Sequence, residues 1–126
     1  MFSLFVDVCK KGIDSFISIK KDEQEDRLRV AQILLDISEL LNDTAEKLSL
    51  DFYPYNNCII MERLSSELKN KIEPYMTDEQ SDMLEICLRD VVQIEKEFAN
   101  RKDPDTIPSI QRASGEFQAM SILLRF

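Results

Sequence analysis

The feature that most constrains this chain is the period of its apolar side chains. They recur at steps of three and four along almost the whole sequence, and only two glycines and four prolines in 126 residues interrupt them. A period near 3.6 is that of an amphipathic helix, and so few turn residues disfavour a sandwich or barrel of many short strands. The expected fold is all-α, a four- to five-helix bundle with mostly antiparallel neighbours.

The first segment, residues 1–20, carries the clearest stripe. At 100° per residue Phe2, Phe5, Val6, Val8, Cys9, Gly12, Ile13, Phe16, Ile17 and Ile19 share one half of the wheel, and Ser3, Asp7, Lys10, Lys11, Asp14 and Ser18 lie opposite. A face this wide wants a groove, a partner or a membrane interface, or else a place in the core. Residues 27–126 form the expected bundle domain. Arg27 to Ser49 repeats Leu28, Ala31, Leu34, Leu35, Leu41, Ala45 and Leu48, widened by Val30, Ile33, Ile37 and Leu40. Such breadth predicts a central helix. Asp51 to Asn57 breaks the period, and its two asparagines offer caps for a third helix through Met61, Leu64, Leu68 and Ile72, which Pro74 stops. Thr77 and Gln80 form a capping-box pattern ahead of a fourth helix to about Asn100, with Leu84, Cys87, Leu88, Val91, Ile94 and Phe98 inward. After the break at 103–108, a closing helix places Ile110, Ala113, Ser114, Phe117, Met120 and Leu124 on one face.

Chemistry is limited by what is missing. With no histidine, the Ser-His-Asp and Cys-His nucleophiles and histidine zinc sites are excluded. Two isolated glycines cannot build a phosphate loop, and Cys9, Cys58 and Cys87 are widely spaced with no Cys-x-x-Cys pair. No catalytic residue, cofactor or metal is expected. Asp36, Glu39, Asp43, Glu85, Asp90 and Glu95 are the best carboxylates for a bundle metal site, but a solvated face explains them more simply.

A net charge of -8 opposes binding to nucleic acid. The excess lies in residues 21–50 and 77–103, each with eight acidic and four basic side chains. It is a solubilising surface or a face complementary to a basic partner. An odd number of widely spaced cysteines, the absence of a secretory signal pattern and the lack of any run of about 18 apolar residues point to a cytoplasmic location.

Tyr53-Pro54-x-x-x-Cys58-x-x-x-Glu62, with Gly115-x-Phe117-x-Ala119 and Leu124-Arg125, resembles an uncharacterised group of small helical bacterial proteins over residues 27–126. Between Pro54 and Cys58 the chain carries Tyr55, Asn56 and Asn57 where that group has small or basic residues. The resemblance implies a bacterial, intracellular bundle and no activity.

The function expected is therefore non-enzymatic. It is an acidic helical-bundle interaction protein of the immunity, antitoxin or defence-accessory type, binding another protein or forming a homodimer. Phe2, Phe5, Cys9, Ile13 and Phe16 are the anchors expected on the first helix, and Tyr53 and Tyr55 an aromatic binding loop, unless those rings cap the core. The alternative is an effector that associates with membranes through residues 1–20.

Overall fold

A computed structural model describes residues 2–19, 24–52, 54–92 and 104–125, excepting the side chains of residues 2–5, 19, 84 and 87–92. The chain is an all-α bundle of helices α1 (Phe2–Ile19), α2 (Gln24–Ser49), α3 (Tyr55–Ile72), α4 (Asp78–Val92) and α5 (Thr106–Arg125), with a 3₁₀ turn at Glu73–Tyr75. The helices close a ring around one core, in which α2 packs on α5, α5 on α1, α1 on α4, α4 on α3 and α3 on α2.

The α2–α5 pair is the most extensive of these. Its register is antiparallel and rests on small residues. The Ser38 hydroxyl donates to the Ser114 carbonyl at 2.8 Å, the Ser114 hydroxyl returns a bond to the Ser38 carbonyl at 2.7 Å, and seven residues away on each helix Ser121 donates to the Ala31 carbonyl at 2.7 Å. A short side chain can reach the opposite backbone only if the two helices approach closely. The serines therefore set both the spacing and the register. They are buried, and each hydroxyl is satisfied, as burial of a polar group requires. Leu34, Ile37, Leu41, Ile110 and Phe117 fill the layers around them and are almost completely buried.

α2 ends in a Schellman motif. Phe52 N–H donates to the Lys47 carbonyl at 2.8 Å and Asp51 N–H to the Leu48 carbonyl at 3.1 Å, with Asp51 in the left-handed region at φ 64°. That residue turns the chain into α3. Pro54, and neither asparagine, stands at the N-cap of α3, and no side chain caps that end. The expected capping box is formed at α4, where Thr77 N–H donates to Gln80 Oε1 and Gln80 N–H to Thr77 Oγ1, both at 3.1 Å. The expected extension of α4 to Asn100 lies outside the described residues beyond Val92, as do Ile94 and Phe98 and the side chains of Leu84, Cys87, Leu88 and Val91.

α1 belongs to the same core. Gly12 faces α3, where a Cβ would stand 2.9 Å from Ile72 Cδ1 and 3.1 Å from Met76 Sδ, so the lack of a side chain permits the approach. Four residues on, the Phe16 ring meets Tyr75 edge to face at a centroid distance of 5.3 Å. On the outer side Lys10 pairs with Glu116 of α5 at 2.6 Å. The division of the sequence into residues 1–20 and 27–126 is thus not a division of the core. One expected core position is corrected. Leu28 is 45% exposed, because it stands one helical repeat from Glu46 and on the same side of α2.

Candidate functional site

Of the anchors expected on α1, the three whose side chains are described face inward. Cys9, Ile13 and Phe16 retain 0%, 1% and 2% of their accessible surface, which leaves nothing for a partner to cover. The reason is the geometry just described: Gly12 lets α1 sink against α3, and the stripe that looked over-wide is matched by α3, α4, α5 and the 3₁₀ turn. The side chains of Phe2 and Phe5 lie outside those described, and so does Tyr53.

Tyr55 is placed differently. It opens α3 on the solvent side, among apolar residues that the period did not single out. Leu50 and Phe52 are each 68% exposed, Tyr55 60%, Ile59 57% and Ile60 45%. All five lie on the α2–α3 hairpin, with Leu50, Phe52 and Tyr55 at its turn and Ile59 and Ile60 further along α3, past Asn57. Leu50 and Phe52 flank Asp51 in the turn, and Tyr55 and Ile59 are one helical turn apart on the same face of α3. A signal for Ile59 and Ile60 exists in the sequence, since both fall off the Cys58, Met61, Ser65, Leu68 stripe that faces the core. An apolar residue beside its stripe has no internal partner to explain it.

The tip sits on a stiff base. Asn57, buried in the first turn of α3, donates to Asp43 Oδ2 and to Thr44 Oγ1 of α2, both at 2.9 Å, and accepts from Lys47 Nζ at 3.1 Å. The Thr44 hydroxyl donates to the Leu40 carbonyl at 2.8 Å, and Lys47 also pairs with Asp43 at 3.0 Å. Every polar atom of the Asn57 side chain is engaged, so the two helices are pinned one turn below the loop. The Asn57 amide, and then the Lys47 ammonium, hold the Asp43 carboxyl below the usual carboxylate range. The network positions backbone.

Through that base, along the flank of α2, runs a row of carboxylates. Asp36, Glu39, Asp43, Glu46 and Leu50 fall within roughly 80° of one another around the helix, so the row runs directly into the apolar tip. Asp43 marks its side as the one beside α3. Of the carboxylates considered for a metal, Asp36, Glu39 and Asp43 lie on this row and Glu85 on α4, while the Asp90 side chain and Glu95 lie outside those described. Among the described residues no group of three or more Cys, Asp or Glu side chains is arranged to hold a metal ion, and no helix is long and apolar enough to cross a membrane.

No protein-family model matches the chain, and no curated protein or solved structure matches it either.

Proposed function

We propose that this chain is a non-enzymatic interaction protein, an acidic helical bundle of the immunity, antitoxin or defence-accessory kind that acts by binding another protein. The observation that carries the reading is the set of exposed apolar side chains on the α2–α3 hairpin, Leu50, Phe52, Tyr55, Ile59 and Ile60. Solvating two aromatic and three aliphatic side chains on one hairpin is unfavourable, at about 25 cal/mol per Å² of apolar surface. Several exposed apolar side chains on one rigid hairpin are a mark of a docking surface. The Asn57 network supports this reading because a pinned loop loses little conformational freedom on binding.

The binding surface proposed is the hairpin tip and not the α1 stripe, whose described anchors are used inside the protein. The same burial removes the argument for a membrane-associating α1, since Cys9, Ile13 and Phe16 would have to leave the core to reach lipid. Tyr55 is kept as a binding residue, joined by Phe52 and Ile59. A double substitution, Phe52→Ser with Ile59→Ser, tests this. Both side chains are exposed, so circular dichroism and the unfolding midpoint should stay unchanged. Cross-linking and mass spectrometry in the source cell should show a defined complex with the unsubstituted chain and its loss with the double variant. A complex that survives both substitutions overturns the assignment.

A further inference from the structure

The reading above says that the tip binds protein; the row of carboxylates says which kind. We infer that the partner presents a basic strip about 15 Å long ending in an apolar patch, and that it lies along α2 with the patch against Leu50 and Phe52. The inference rests on the interaction reading and adds the charge of the partner and its direction on the surface.

The argument is one of register. From Asp36 to Leu50 the row spans fourteen residues, about 21 Å at 1.5 Å per residue. Its spacing of three, four, three and four residues keeps four carboxylates and then Leu50 on one line. Lys47 is the neighbouring cation, and its ammonium is already shared between Asp43 and Asn57. Glu39 and Glu46 are exposed on the row, and neighbouring like charges on one helix face repel. A basic partner relieves that repulsion while the apolar tip gives the contact area. Each feature supplies what the other lacks, since exposed ion pairs contribute little affinity and apolar contacts contribute little orientation.

A second copy of this chain fits poorly. A two-fold interface that covered the row and the tip together would set carboxylates against carboxylates in a protein that already carries -8. Anionic lipid is opposed by the same row.

The experiment uses the full chain and two synthetic helical peptides of eighteen residues. One has Lys at four successive positions of this spacing and Leu and Ile at one end; the other has Glu in place of each Lys. Fluorescence anisotropy in roughly 150 mM salt should show the Lys peptide binding at least tenfold tighter than its Glu twin, with affinity falling as salt rises. Glu39→Gln and Glu46→Gln should each weaken the Lys peptide roughly two- to fivefold, the scale of an exposed ion pair, and should not weaken any binding of the Glu peptide. Phe52→Ser should weaken it further. If both peptides bind alike and Phe52→Ser removes both, the basic partner is wrong while the interaction reading stands. If neither binds and light scattering finds a dimer that Phe52→Ser dissociates, the partner is a second copy and the inference falls. If the chain binds phosphatidylserine vesicles and neither peptide, both readings fall.

Discussion

Replacing Asn57 with Ala would test whether the network under the hairpin does what its geometry implies. The side chain is buried, and the substitution removes two donated hydrogen bonds and one accepted. These are unequal. The bond to Thr44 Oγ1 is neutral and buried and is worth about 1 kcal/mol. The bonds to Asp43 and Lys47 involve an ionised partner, which ordinarily strengthens them, but those side chains are 50% and 41% exposed and rehydrate when the amide leaves. Together they add about another 1 kcal/mol after that discount. The void left by the amide raises the cost, and the better helix propensity of Ala lowers it by a few tenths of a kcal/mol. The expected loss is about 2 kcal/mol, or a fall of about 1 M in the urea midpoint. A second readout separates the network from simple packing. Because the folded state holds the Asp43 carboxyl below its ordinary value of 3.8, the contribution of Asp43 is complete above that pH and is lost as pH falls through the folded-state value. Asn57 is the first cause of that depression, so the wild type should lose more stability than the variant on acidification and the gap between them should narrow. A loss below about 0.5 kcal/mol, or a gap that does not change with pH, would refute the role assigned to the network.

Three further outcomes are expected. Gly115→Ala should raise the unfolding free energy by about 0.5–1 kcal/mol in chemical denaturation, because the glycine lies within α5 and a Cβ there meets nothing within 4 Å. Gly12→Val should do the reverse, lowering stability by about 1–3 kcal/mol in the same assay, since its side chain would press on Ile72 and Met76. Deleting residues 1–20 should abolish cooperative unfolding and leave a species that binds a hydrophobic dye; a folded, cooperative monomer would show that Cys9, Ile13 and Phe16 are not needed by the core.

Much of the fold was legible from period alone. α1 begins at Phe2 and ends at Ile19, where its stripe does, and the inward residues expected on α5, from Ile110 to Leu124, are all buried. The Thr77–Gln80 box was readable because it is a local exchange of two hydrogen bonds four residues wide. The cap of α3 was not. Asn57 had the right residue type for one, but its side chain is drawn sideways to Asp43 and Thr44, and that competition exists only once α2 lies alongside. Leu28 misled for a related reason: a three-residue step to Ala31 looks like a continuing stripe, although the position has rotated to the Glu46 side of α2.

The candidate site shows the boundary most sharply. By itself the sequence determined that the chain is helical, acidic and without histidine, because these follow from composition and from periods a few residues long. Which apolar surface remains outside was decided by tertiary structure. The stripe of α1 was the broadest in the sequence, yet its described core residues disappear where Gly12 brings two helices together, while the less conspicuous Leu50, Phe52, Tyr55, Ile59 and Ile60 stay in solvent on the α2–α3 hairpin. A single helix has a face; only its neighbours determine whether that face is covered, since burial depends on contacts between residues far apart in the chain.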